Sequence, residues 1–249
     1  MYLETVISCV NYSDYLEHTL PNNKNQFDDL IVVTDTKDKR TVELCKYYDV
    51  KCVKTDLYYE NGSSFNRGAA VNDAIKQFTK KDWVLHLDAD IVLPPNTKEI
   101  LNTIPLQKQK LYTIDRLMCP SYESWMKFLS LAMKRDGGIL VESLIGFPMG
   151  IRIYGYQDLE PEWLPIGFFQ LWNPEGSGIY DYPTESSSCS VSDILHSRKF
   201  SRENRELIPE IIGIHLDSEG LETNEIGRDW NGRKSRIFGA IKKSNLSYE

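Results

Sequence analysis

Two carboxylates one residue apart, Asp88 and Asp90, close the apolar run WVLHLDADIVLP (83–94), which reads as a buried strand. In extended chain, residues two apart project to the same face. Asp88 and Asp90 would then share a face, and two close carboxylates repel unless a cation lies between them. A divalent metal, a lysine or an arginine would serve. Mg²⁺ and Mn²⁺ suit such a doublet, because these hard ions take oxygen ligands and share their shell with substrate phosphates. A second strand-like run, IPEIIGIHLDS (208–218), carries His215 at its end. Imidazole is acceptable to Mn²⁺ and less natural for Mg²⁺. Asp88, Asp90 and His215 are therefore the candidate metal ligands. His86 alternates onto the Asp88 face deeper in the strand and reads as structural. His18 and His196 fall in predicted helices and read as surface residues.

Such residues need a scaffold that gathers strand ends. TVISCV (5–10), DDLIVVTD (28–35) and VKCVKTD (50–56) are β-branched runs with polar boundaries. A polar helix is predicted over about 38–48, and in NRGAAVNDAIKQF the residues Val71, Ala74, Ile75 and Phe78 recur at helical spacing. Strand alternating with helix predicts parallel βαβ units, whose ligands sit beyond the carboxyl ends of the strands. Asp35, Asp56, Asp88 and Asp90 all fall at such ends. Further on, 110–119 reads as a strand, 122–135 as a helix, 190–200 as a helix near whose start Asp193 lies, and 208–218 as a last strand. Between them, GFFQLWN (167–173) is aromatic enough to be a packed strand, with Gln170 and Trp172 offering acceptor contacts.

Two further stretches suit anions. Asn66-Arg67-Gly68 opens a helix whose free N–H groups, with an arginine beside them, fit a phosphate or carboxylate, although simple capping by Asn66 would look the same. DWNGRKS (229–235) combines Trp230, Asn231, Arg233 and Lys234, a mixture suited to a sugar or a diphosphate.

Composition removes several classes. The net charge of −7 argues against bulk attraction to nucleic acid, although six Lys or Arg against one Asp occupy residues 227–243. No window is apolar enough for a transmembrane helix, and the N-terminal run lacks the basic flank and apolar core of a signal peptide. The five cysteines are odd in number and include no C-x-x-C pair, so a reducing, cytoplasmic setting is expected. Signatures of serine hydrolases, zinc proteases and P-loop proteins do not occur. The chain reads as one domain of 1–249, divided at about 95 and 226 into two halves and a basic tail (227–249), working as a monomer or weak oligomer.

Taken in order, the first strand with Asn11-Tyr12 after it, VVTD (32–35), NRGAAVN (66–72) and HLDAD (86–90) resemble nucleotide-sugar glycosyltransferases of family-2 type. The back half is similar to small glycosyltransferases common in bacteriophage genomes. The resemblance implies an α/β class with a GT-A, Rossmann-like, mostly parallel sheet flanked by helices, and makes Asp88-Ala89-Asp90 the D-x-D element. It implies a nucleotide-sugar-binding first half (1–95) and an acceptor-side second half (96–226). It further implies that Asn11, Tyr12 and Asp35 contact base and ribose, with Arg67 near the diphosphate or base. Asp88, Asp90 and His215 would hold Mn²⁺ or Mg²⁺, Arg233 and Lys234 would close over the phosphate, and Asp193 would be the general base. The Val191-Ser192-Asp193 setting departs from the usual Glu-Asp or Trp-Ser-Asp. The implied donor is a UDP-sugar. The implied acceptor is a hydroxymethylated pyrimidine in phage DNA, flipped out among Trp163, Phe169 and Trp172. A polysaccharide or protein acceptor, a nucleotidyltransferase and an inactive nucleotide-sugar-binding module are the alternatives. The nucleotidyltransferase should carry a Gly-rich, Lys-containing loop that SCVNYSDYLEH lacks.

Overall fold

In the computed structural model, residues 1–63, 65–79, 82–119, 122–132, 152–159, 162–184 and 189–216 are described. The chain opens with β1 (Leu3–Ser8), α1 (Ser13–Asn23), β2 (Asp29–Asp35), α2 (Lys39–Tyr47) and β3 (Lys51–Thr55). It continues through α3 (Arg67–Ile75), β4 (Trp83–Asp88), β5 (Ile91–Val92), α4 (Thr97–Thr103), β6 (Leu111–Met118) and α5 (Tyr122–Ala132). After β7 (Arg152–Ile153), β8 (Tyr156–Leu159) and β9 (Glu162–Pro165) come β10 (Phe169–Trp172), α6 (Pro174–Ser177), α7 (Cys189–Arg198) and β11 (Arg205–His215). Among the described residues no helix is long and apolar enough to cross a membrane.

The main sheet runs in the order β3-β2-β1-β4-β10-β6-β11-β5, with β7 added alongside β6. The β1, β2, β3 and β4 pairings are parallel, as is β6 with β11. β10 lies antiparallel between β4 and β6, and β5 lies antiparallel to β11. The sheet is thus mostly parallel, as the alternation of elements predicts, with an antiparallel strand inserted at its centre. Burial on both faces accounts for the near-continuous apolar strands. One core gathers Leu3, Ile7, Leu85 and Leu87 under Leu16 and Leu20 of α1. On the opposite face Val6, Ile31, Val33 and Val84 meet Val71 and Ala74 of α3.

α4 and the one-turn α6 escape the periodicity reading, whereas α1 is the helix expected around His18. α1 has Pro21 inside it and a mixed polar face, so its apolar signal is short. Its inward polar residues nevertheless matter for the site.

Candidate active site

The carboxyl end of β4 is built from both sides. In the β1 pairing Asp88 is opposite Ser8, and its N–H donates to the Phe168 carbonyl at 3.0 Å. The chain then turns at Ala89-Asp90 instead of continuing extended. The Thr19 hydroxyl donates to the Ala89 carbonyl at 2.7 Å. Asn23 donates to the Ile91 carbonyl at 2.7 Å and accepts from the Leu93 N–H at 2.9 Å. Thr19 and Asn23 are fully buried and fix the turn from α1, a role their position four residues apart on one helix face could have signalled.

Because of that turn, residues 88–90 depart from the extended geometry from which a shared face was expected. Asp90 is carried to β11. The Leu216 N–H donates to the Asp90 carbonyl at 2.9 Å, and His215 is paired with Ile91. That register brings His215 Nε2 to 3.2 Å from Asp90 Oδ2, with both side chains buried. The other ring nitrogen, Nδ1, is 3.3 Å from Met118 Sδ. Among the described residues no three His, Cys, Asp or Glu side chains converge, because Asp88 is turned toward an arginine. An imidazole nitrogen with carboxylate oxygens is nonetheless an N/O donor set that suits Mn²⁺, and its carboxylates suit Mg²⁺.

The arginine is Arg67, first residue of α3, whose helix is capped by Asn66 accepting from the Ala69 N–H at 3.1 Å. Arg67 Nη1 donates to Asp88 Oδ1 at 3.3 Å, and Nη2 donates to Ser192 Oγ at 3.3 Å. Nη2 also lies 4.0 Å from Asp193 Oδ1. Asp193 is held in turn by the N–H groups of Gly167 (2.8 Å, to Oδ2) and Ile194 (2.9 Å, to Oδ1). Only glycine fits at 167, since a Cβ there would stand 2.5 Å from Asp193 Cβ and 2.8 Å from Arg67 Nη2.

Behind this cluster lies a buried polar network. The Gln170 amide donates to the Asp193 carbonyl at 3.1 Å and to Ser197 Oγ at 3.0 Å, while its oxygen accepts from the Tyr182 hydroxyl. Gln170, Phe169 and Trp172 are fully buried, which corrects their expected place in an acceptor cleft. Pairing on both edges of β10 leaves their side chains to the two cores, and Gln170 anchors α7 instead. His196 also departs from expectation. It is fully buried, stacked on Tyr182 at 4.4 Å and edge-on to Trp172 at 4.6 Å, because α7 turns it onto the aromatic cluster of the sheet. His86 is buried as expected, and His18 is half-buried.

Burial pushes the pKa of His196 down to about 3. Burial, reinforced by the nearby Arg67 cation, also drives that of His86 well below the usual range. Both are neutral in the folded chain, while an unfolded histidine takes up its proton near pH ~6.5. The stability contributed by these lowered pKa values is therefore present above that pH and is lost as pH falls. Each histidine should cost about 1.4 kcal/mol per pH unit below ~6. Denaturant unfolding at pH 7 and pH 5 should show the loss, and His196→Phe should reduce the slope by about one proton; an unchanged slope would contradict neutral burial of His196.

The donor-side candidates lie at the ends of β1 to β3. Asn11 adopts φ +54, a conformation asparagine tolerates, and its N–H donates to Asp38 Oδ2 at 2.8 Å. Tyr12 is the residue before α1, with its ring 5.1 Å from that of Tyr15. Asp35 is buried and accepts the Lys37 N–H on Oδ1 at 2.8 Å. It lines a cleft of about 440 Å³ with Thr55, Asp56, Leu57, Tyr59 and Glu60. Trp230, Asn231, Arg233 and Lys234, with the rest of the basic stretch, lie outside the described residues. Reasoning from sequence missed Thr19, Asn23, Gly167 and Ser192.

Residues 5–118 match the family Glycosyl transferase family 2. The match covers somewhat under half of the chain. It runs from within β1 to the end of β6, and so includes Asn11, Tyr12, Asp35, Asn66, Arg67, Asp88 and Asp90, while Asp193 and His215 lie beyond it. No curated protein matches the chain. Among solved structures it is similar to glucosyl-3-phosphoglycerate synthase from Mycobacterium tuberculosis in complex with Mn²⁺, UDP-glucose and phosphoglyceric acid. That likeness has 12% identity, covers 86% of this chain and 71% of that one, and has a TM-score of 0.50. The same enzyme with glycerol 3-phosphate gives 10% identity, 86% and 72% coverage and a TM-score of 0.50. A 4-diphosphocytidyl-2C-methyl-D-erythritol synthase from Anaerococcus prevotii is 14% identical over 85% of this chain and 87% of that one, with a TM-score of 0.44. At such identities the likeness to the synthase from M. tuberculosis is one of fold.

Proposed function

We propose that the protein is a metal-dependent glycosyltransferase that moves a sugar from a nucleotide-sugar, a UDP-sugar by preference, to an acceptor hydroxyl. The observation that carries this reading is the register of β5 on β11, which holds His215 Nε2 3.2 Å from Asp90 Oδ2 at the end of the strand that carries Asp88. Support also comes from the similar fold of a synthase bound to Mn²⁺ and UDP-glucose. In this reading Asp88, Asp90 and His215 hold Mn²⁺ or Mg²⁺. When bound, such an ion supplies Lewis-acid stabilisation of the charge on the departing diphosphate.

The chain's own residues supply the rest. Asp35 accepts a base N–H or a ribose hydroxyl in its cleft, and Asn11 and Tyr12 flank the base from the end of β1. The end of β2 is two strands from that of β4, about 10 Å at ~4.8 Å per strand, roughly the reach of a nucleoside from base to diphosphate. Asn66 and Arg67 lie on the diphosphate side. The resemblance assigns Arg233 and Lys234, which lie outside the described residues, to closing over the phosphate, and the mixture that Trp230 and Asn231 form with them suits a sugar or a diphosphate. Asp193, oriented by the Gly167 N–H, takes the proton from the acceptor hydroxyl as its oxygen attacks the anomeric carbon.

The resemblance to phage enzymes nominates a hydroxymethylated pyrimidine of DNA as the acceptor. The burial of Phe169 and Trp172 removes two of the three aromatic rings expected to receive a flipped base, and Trp163 remains. The test is nucleotide release in Mn²⁺ from a panel of UDP- and GDP-sugars, with and without hydroxymethylated DNA. Release from a UDP-sugar that stops with chelator supports the transferase reading, and stimulation by DNA assigns the acceptor. Release that ignores DNA keeps the transferase and points to another hydroxyl. Pyrophosphate release from a nucleoside triphosphate and a sugar phosphate would make the protein a nucleotidyltransferase. Binding without turnover would make it an inactive module.

A further inference from the structure

Arg67 stands between the two carboxylates that the proposed reaction uses. Its guanidinium is buried, with Nη1 3.3 Å from Asp88 Oδ1, Nη2 3.3 Å from Ser192 Oγ, and Nη2 4.0 Å from Asp193 Oδ1. All three distances exceed the usual ~2.7–2.9 Å of a charge-assisted bond. One cation thus bridges partners on opposite sides, the metal side and the acceptor side. A cation beside Asp88 also opposes the binding of a second cation to the same carboxylate.

Resting on the metal reading of Asp88, Asp90 and His215 above, we propose that Arg67 is a positioning residue that competes with a divalent cation for Asp88. When the ion wins, Arg67 is retained on the acceptor side by Ser192 and Asp193. The receiving side is already built. Ser192 is 1% exposed, so water does not compete for its hydroxyl. The missing side chain at Gly167 leaves room for the guanidinium against Asp193, since a Cβ there would lie 2.8 Å from Nη2. The Asn66 cap holds the backbone of Arg67 at the start of α3, so the exchange is a side-chain movement on a fixed helix. Arg67 thereby couples occupancy of the donor-side carboxylate to the orientation of Asp193, from residues 125 apart in the chain.

The two roles open to Arg67 differ in sign. If it only supports the fold, its loss loosens Mn²⁺ binding together with stability. If it competes, its loss tightens Mn²⁺ binding while turnover falls. Free Mn²⁺ followed by electron paramagnetic resonance, without donor, separates these outcomes. Arg67→Met should bind Mn²⁺ about tenfold more tightly than the wild type, the least that a lost neighbouring charge is worth. Ser192→Ala removes an anchor on the receiving side and should weaken Mn²⁺ binding by about twofold or more, by the smaller worth of a hydrogen bond. A folded Arg67→Met with unchanged or weaker Mn²⁺ affinity overturns the proposal. Should Arg67→Met not fold, Ser192→Ala decides, and wild-type Mn²⁺ affinity in that variant overturns it. A wild type that binds no Mn²⁺, or binding that survives Asp90→Ala, overturns the metal reading itself and the proposal with it.

Discussion

Asp90→Ala is expected to lower kcat/KM for the nucleotide-sugar about 10²–10³-fold, and the residual rate should no longer respond to Mn²⁺ or chelator. The size follows from the charge that a bound divalent ion stabilises, several kcal/mol, at a factor of ten for every ~1.4 kcal/mol. The effect should be chemical and not structural. The backbone carbonyl of Asp90 accepts the Leu216 N–H, so β5 stays on β11 when the side chain is truncated, and Thr19 and Asn23 continue to hold the turn. Thermal unfolding of the variant should accordingly stay within a few degrees of the wild type. His215→Ala should act in the same direction, since the two side chains meet at 3.2 Å. An Asp90→Ala protein that keeps a third of its activity, still stimulated by Mn²⁺, would remove Asp90 from the metal site.

The second large effect is expected at Asp193. A positioned general base contributes about 10²–10⁴-fold, so Asp193→Asn should lose turnover on that scale while its affinity for the donor stays within about threefold. Asparagine is the informative replacement because its single carbonyl oxygen can keep the Gly167 N–H that Oδ2 now accepts at 2.8 Å. It cannot take the acceptor's proton. Asp193→Ala would also leave the Gly167 N–H without this acceptor, so a larger loss there than in Asp193→Asn would measure positioning in addition to proton transfer. The readout is kcat with donor saturating, beside donor binding by calorimetry. Full turnover in Asp193→Asn would take the base role from Asp193, and retention of configuration at the anomeric carbon would become the outcome to test.

Much of this site is legible in the order of residues, and the reason is that its parts are local. An apolar strand ending in Asp88, a β-branched strand ending in Asp35 and an amphipathic helix opening at Asn66-Arg67 are each set by the periodicity and capping of about ten neighbouring residues. Parallel βαβ alternation follows from their sequence order, and with it the convergence of strand ends. The failures are non-local. Residues 88–90 looked extended, yet the chain turns after Asp88 because α1 and β11 capture the next residues. Phe169, Gln170 and Trp172 read rightly as a packed strand, yet the acceptor contacts expected of them are lost because β10 runs antiparallel between β4 and β6 and buries them. His196 looked exposed because a helix of weak amphipathicity does not announce which face it packs. Asp193 acquires its neighbours from Gly167 and Arg67, and Asp90 from His215, across 26 to 126 residues of chain. Periodicity carries no information over such separations. Only the strand order of the sheet decides which side chains meet there, and that order is set by packing both faces of the sheet at once.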